Sequence, residues 1–503
     1  MTTTYAIPRV PPLAFAGLVS TLVLACGSPN LAGTNWSCRS NADCDPGQMC
    51  GSIAGAPACV PANTAPIAIG MSGPLQGPSQ DLGIEMRRGI SAMFARVNAQ
   101  GGVFGRNLEL RSMNDNYDPM LAKENMKVLL DVQQESPDAD TPDVRGNASV
   151  FAILGNIGTP TMLETAPIAT RDRVLFFAPF TGAQKYLRDG TNSPYVYNYR
   201  AGYYQEADAM IDYMASYRQP RIITSPTNTS YRRILAFTQR DSYGDAGYNG
   251  LVNAYNRLSP LPQPDSTKPD PSIRRLYYDR DVVSSVEPAI TEAATLLTAL
   301  LAEGTGTVSV AIVMVDTYQP GNKFIRGVLD WVNQDAARAT RLDLVFMHVS
   351  FVGSDALAAA LVSPPETYLD ARDGQTRRSY ADGVMVMQVV PYYGTQASGV
   401  REYRADIDRF DGGSYTFTSL EGYVAARLFA ESLLLNGQTL DTESVRATLD
   451  TRVRDLDIGM GTLLGFSSTN HQACDTVWGS VIQADGAFKV PFMWNPRQHI
   501  VAN

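Results

Sequence analysis

The chain has 503 residues, 44% of them hydrophobic, enough for two sizeable cores. Its formal net charge is −9 and no basic stripe stands out, which argues against nucleic-acid binding. The three histidines, His348, His471 and His499, are scattered, so neither a His-rich metal centre nor any other metal or cofactor site is expected.

Residues 1–25 read as a targeting segment rather than as fold. Arg9 supplies a weak positive start, and 13–25 is an apolar run too short to span a bilayer. The run ends Val23-Leu24-Ala25-Cys26-Gly27, which resembles a bacterial lipobox. A cleaved Cys26 would carry lipid and tether the protein to a membrane; the alternative is an ordinary secretory signal with an incidental cysteine. No later segment is long and apolar enough to cross a membrane. Residues 26–66 form a stem and linker. In it Cys38, Cys44, Cys50 and Cys59 sit among Gly, Pro, Asn and Asp, as in a small module stapled by two disulfides. Three connectivities are open. A zinc site is the rival, opposed by the absence of His and of paired C-x-x-C spacing. Cys474 is left over and is expected as a buried free thiol.

The run 67–130 carries the most information. A strand at 67–71 ends in Ser72-Gly73-Pro74, and a loop with Gly77, Pro78, Ser79 and Gly83 follows. Met86, Ile90, Met93, Phe94 and Val97 then recur at helical spacing until Gly101-Gly102 ends the helix. Gly105-Arg106 turns the chain into a second strand at 108–110. This is a βαβ entry whose first loop opens toward a ligand crevice. Further strands are predicted at 150–154, 174–177, 234–238, 308–315, 342–348 and 383–390. Most are nearly continuous in apolar residues, as strands buried on both faces are. Helical patterns lie at 205–216, 286–302, 324–333 and 420–435. Pro-, Asp- and Ser-rich insertions fall at 134–147, 259–274 and 363–378 and read as surface loops. The fold class is α/β.

Taken in order, Ser72-Gly73-Pro74, the Asn98 to Gly102 turn, Gly105-Arg106, Asn114-Asp115 and Asp118-Pro119 resemble the opening of type I periplasmic binding proteins. The branch resembled is the leucine/isoleucine/valine-binding one, substrate-binding proteins of branched-chain amino acid ABC transporters. The likeness continues through Thr159-Pro160-Thr161, Phe177 to Thr181, Asp241 to Gly244, Glu421-Gly422-Tyr423 and Asn470-His471-Gln472. It implies two Rossmann-like lobes with three crossover hinges, near 198–202, 390–393 and 465–470, preceded by the disulfide-rich stem. Lobe one would comprise 67–199 plus 392–466, and lobe two 200–391 plus 467–503. A ligand in the cleft would hold the lobes closed, a population shift driven by contacts the open form lacks.

The resemblance also places ligand contacts. Ser72 and Leu82 belong to the first loop, where open α/β sheets bind ligands. Thr159 is expected as N-cap before Pro160, with exposed N–H groups suited to a carboxylate. Phe180 and Thr181 form the third loop, and Gly182 stands where the family has a hydroxyl residue. Tyr243 and Tyr318 are aromatic candidates from lobe two. Ser350 stands where amino-acid-binding members carry a Glu that pairs with the ligand's ammonium, so the cargo is expected to lack that group unless Asp316 compensates. What remains suits an amide, a carboxylic acid or an aromatic acid.

The function these readings imply is an exported solute-binding lipoprotein, periplasmic or at the cell surface. It would capture a small polar metabolite and deliver it to an ABC permease. The alternative is a receptor subunit that uses the same cleft to signal to a membrane partner. An enzyme is not expected: there is no Gly-x-Ser-x-Gly elbow or Walker loop, and Gly101 to Gly105 follows a helix, not a strand.

Overall fold

The computed structural model describes residues 43–44, 48–53, 56–61, 65–138, 140–184, 190–224, 229–263 and 272–502. The targeting segment, Cys26 and Cys38 lie outside the described residues. In the stem, β1 (Gln48–Ile53) and β2 (Ala56–Pro61) pair antiparallel, and a disulfide joins Cys44 to Cys59. That is one of the pairings the spacing left open.

The first sheet begins with β3 (Ile67–Gly73), buried except for half-buried Ala68. α1 (Gln80–Ala99) returns the chain to β4 (Leu108–Asn114). Asp118 then caps α2 (Pro119–Leu129), its carboxylate accepting the Met120 and Leu121 N–H groups, with Pro119 at the first helical position. The 134–147 insertion carries a small ribbon, β5 (Val132–Gln134) with β6 (Val144–Arg145). β7 (Ala152–Leu154), α3 (Thr159–Arg171), β8 (Leu175–Phe177) and β9 (Val196–Tyr197) complete a parallel sheet in the order β4-β3-β7-β8-β9.

The chain then crosses into the second sheet. α4 (Tyr203–Asp212) leads to β10 (Ile234–Gln239), α5 (Ser242–Leu258), β11 (Arg274–Tyr278) and α6 (Glu287–Ala302). β12 (Val308–Val315) is buried at every residue, which is why its sequence is an unbroken apolar run apart from Ser309. α7 (Tyr318–Asn333), α8 (Ala336–Arg341), β13 (Leu342–His348) and α9 (Ser354–Leu361) follow. α7 starts earlier than the predicted 324, because Pro320 is tolerated in a first turn. The 363–378 insertion forms a ribbon of β14 (Thr367–Leu369) and β15 (Arg377–Ser379) before β16 (Met385–Gln388).

A second crossover returns the chain to the first lobe as α10 (Ser398–Phe410), α11 (Phe417–Asn436) and α12 (Thr442–Thr451). There α1 and α11 pack backbone to backbone. A Cβ on Gly89 would stand 1.9 Å from the Ser419 carbonyl oxygen, and one on Gly422 2.4 Å from the Met86 carbonyl oxygen. The Gly of the Glu421-Gly422-Tyr423 motif is thus a packing requirement. A short hairpin, β17 (Leu456–Asp457) with β18 (Leu463–Leu464), precedes the third crossover. β19 (Val477–Ile482), β20 (Phe488–Asn495) and β21 (His499–Ala502) then extend the second sheet as an antiparallel edge. Its order is β11-β10-β12-β13-β16-β19-β20-β21. The first and third crossovers run side by side: Asn198 N–H donates to the His471 carbonyl at 2.7 Å, and Ala473 N–H to the Asn198 carbonyl at 2.9 Å. Cys474 is a buried free thiol.

Candidate functional site

The loops at the carboxyl ends of the strands in both sheets meet face to face. On the first lobe, the Thr159 and Thr181 hydroxyls lie 2.7 Å apart and are buried. The N-cap of α3 is Gly158, at φ 100°, rather than Thr159. The helix begins one residue earlier than expected, which leaves the Thr159 hydroxyl to its partner on the next loop. Gly158 is required there: a Cβ would lie 2.2 Å from the Tyr117 ring. Gly182 is likewise crowded, since a Cβ would meet the Tyr203 ring at 2.3 Å. A hydroxyl residue is absent at 182 because Tyr203 occupies the space.

Ser72 is held inside lobe one. Its hydroxyl donates to Asp115 at 2.7 Å and accepts from Asn125 at 3.0 Å, and its N–H donates to Asn156 at 2.8 Å. Burial pushes Asp115 up to about 6, against the pull of the hydrogen bonds from Ser72 and from the Tyr117 N–H. Ser72 therefore braces the strand ends and is not brought to the other candidates. Leu82 reaches across: a Cβ on Gly353 of lobe two would lie 2.8 Å from its Cδ2. Tyr318 also bridges the lobes, its hydroxyl accepting the Asp81 N–H at 3.4 Å. At the rim, Ser79 donates to Asp281 at 2.7 Å.

From lobe two, Tyr243 donates to the Asp316 carbonyl at 2.9 Å, and its ring lies 4.6 Å from that of Phe351. Phe351 in turn meets Phe180 at 5.3 Å and Tyr117 at 5.9 Å, both on lobe one. An aromatic cluster thus fills the apex between the lobes. Asp316 is engaged elsewhere: its Oδ1 lies 2.9 Å from His348 Nδ1, and both side chains are fully buried. Burial raises the Asp316 pKa, partly offset by His348.

Ser350 sits in an ionic group. Glu206, on the first turns of α4, accepts the Ser350 N–H at 2.6 Å and its hydroxyl at 3.0 Å. Arg200 also donates to the Ser350 hydroxyl. The guanidinium lies 3.5 Å from Glu206 and 3.5 Å from Glu421 of α11, with its Cζ 4.8 Å from the Phe180 ring centre. Burial pushes Glu206 up to about 7, opposed first by Arg200 and then by Ser350.

The structure therefore brings Thr159, Phe180, Thr181, Tyr243 and Ser350 together around Phe351, with Leu82 and Tyr318 at the closing edge. Arg200, Glu206, Tyr203 and Phe351 are not among the residues that the sequence marks for the site, and Glu421 is marked there only as part of the Glu421-Gly422-Tyr423 motif. One signal was available: Arg200 is a lone charge inside the aromatic run from Tyr195 to Tyr204. On the flank of the cluster, a cavity of about 520 Å³ lies between α3 and α5, with Thr159, Leu163, Tyr204 and Ser242 among its walls. A larger groove of about 860 Å³ runs behind the third crossover, past Arg454, Phe466 and Arg497, away from these loops.

Residues 66–268 match the family model described as Periplasmic binding protein. A solved structure from Rhodopirellula baltica, a possible leucine/isoleucine/valine-binding protein, is 29% identical with a TM-score of 0.65, covering 86% of this chain and 97% of that one. The main body has the type I periplasmic binding protein fold. The resemblance carried by 67–130 is to this family. A leucine-binding protein from Thermotoga maritima matches at 14% identity and a TM-score of 0.61, covering 86% of this chain and 99% of that one. A branched-chain amino acid ABC transporter protein from Thermus thermophilus, solved with bound valine, matches at 13% identity and a TM-score of 0.61, covering 87% and 96%. No curated protein matches the chain.

Proposed function

We propose that this periplasmic binding protein is a solute-binding lipoprotein that captures a small polar metabolite between its lobes and delivers it to an ABC importer. The observation that carries the reading is the meeting of four strand-end loops, those after β7, β8, β10 and β13, at Phe351. They present hydroxyls from Thr159 and Thr181, rings from Phe180 and Tyr243, and the Ser350–Glu206 pair to one point. Such convergence of aromatic and sparse polar groups is what a small-molecule site requires. Cys26 would carry the lipid anchor, and the 26–66 stem would hold the lobes off the membrane. The lobes would comprise 67–199 with 392–466, and 200–391 with 467–503.

The cargo falls within amino acids, amides and organic or aromatic acids. A thermal-shift screen of the mature protein against such compounds tests the reading. A hit whose affinity falls in Thr159→Ala and Tyr243→Ala supports it. Unchanged affinity in both variants, or turnover of the bound compound, would overturn it.

A further inference from the structure

We propose that Arg200 is an internal occupant of the cleft, and that the cargo enters by displacing it with a cationic group of its own. The inference deepens the cleft reading above and rests on it. Arg200 lies on the first crossover, where the chain passes between the lobes, and its side chain is fully buried. Its contacts divide between the two sides. Phe180 and Glu421 come from lobe one, while Glu206 and Ser350 come from lobe two. One guanidinium thus joins both lobes at the apex.

What Arg200 would leave behind defines what can replace it. The group around the guanidinium includes the Glu206 carboxylate, the Ser350 hydroxyl oxygen, the Glu421 carboxylate and the face of Phe180. Every one of these receives positive charge: the oxygens accept hydrogen bonds, and the ring face attracts a cation. An ammonium or guanidinium compound matches that set. An anion would have to share the pocket with the two carboxylates. Tyr117 takes a second cation of the chain in the same way, with Arg280 of lobe two 5.6 Å from its ring centre and donating to its carbonyl at 3.3 Å. Guanidinium on aromatic wall is therefore how this protein joins its lobes at two places.

The test uses the mature chain and compounds matched in shape but not in charge: leucinamide, isocaproate and isocaproamide, with agmatine as a guanidinium. Binding is read by thermal shift and titration calorimetry, and lobe closure by small-angle scattering. The expected result is that leucinamide or agmatine binds while isocaproate and isocaproamide do not. Glu206→Gln should weaken the cation about tenfold or more, the loss of one charge-assisted hydrogen bond. Unliganded wild type should scatter as the closed form, and Arg200→Met as a larger particle. Isocaproate binding that vanishes in Arg200→Met would overturn the proposal while leaving the cleft reading intact. So would cation binding indifferent to Glu206→Gln, or no cation binding at all. If Arg200→Met does not fold, the charge-matched panel on wild type and Glu206→Gln decides alone.

Discussion

The ring of Tyr203 stands so close to Gly182 that a Cβ there would come within 2.3 Å of it, while the Gly182 carbonyl accepts the Tyr203 N–H at 2.7 Å. The third loop of lobe one and the start of α4 in lobe two are locked by this pair. Gly182→Ser should therefore not restore a hydroxyl contact. It should push the Tyr203 ring out of its place and destabilise the protein by about 2 kcal/mol, as overpacking a filled site does. Chemical denaturation measures this, and a neutral or stabilising substitution would show that Tyr203 can move.

The helix pair beneath the site is less forgiving. Gly89 and Gly422 approach backbone atoms of the opposite helix, so neither α1 nor α11 can yield by a rotamer change. Gly89→Ala should destabilise more than Gly182→Ser, by roughly 3 kcal/mol or more, through separation of the helices. Its midpoint in urea should fall with the slope unchanged.

Much of this arrangement was readable in advance, for definite reasons. β12 is unmistakable because a central parallel strand is buried on both faces and loses polar alternation, and β13 shares this in its buried second half, Val345–His348. β20 and β21 are not legible because strands toward the sheet edge mix exposure, as in Phe488–Asn495, where only Phe488, Phe492 and Trp494 are buried. At the site, loop residues next to strand ends were legible because position alone marks them. Arg200, Glu206 and Glu421 were not, since a buried cation makes sense only beside partners that are distant in sequence. The neutral residue at 350 is a case in point. Ser350 carries no charge itself, yet the Glu206 carboxylate lies 2.6 Å from its nitrogen.

Glu206 gives a pH dependence with a definite sign. Its value near 7 in the folded protein lies above the ordinary 4.5, so the folded state holds this proton more tightly than the unfolded chain does. That contribution is complete below pH 4.5 and is lost as pH rises through 7. The melting temperature should therefore fall between pH 5 and about 7.5. Glu206→Gln should flatten that fall, because the amide does not titrate. Buried Asp115, pushed up to about 6, adds its own decline at lower pH and persists in the variant. The difference between the two melting curves isolates Glu206, and parallel curves would show that its proton does not differ between folded and unfolded states.

The stem should be separable from the lobes. β1 and β2 pair only with each other among the described residues, and the Cys44–Cys59 disulfide closes within the stem. A crosslink stabilises mainly the segment whose unfolded chain it constrains. Reduction should therefore leave the urea midpoint of the lobes unchanged while exposing the stem to proteolysis. Urea denaturation with and without reductant reads the first, and limited digestion with subtilisin, which needs no Lys or Arg, followed by intact mass reads the second; the stem has no Lys or Arg between Cys44 and Cys59 for trypsin to cut. A lowered midpoint for the lobes on reduction would mean that the stem braces them, and the stem would then belong to the folded body rather than to its tether.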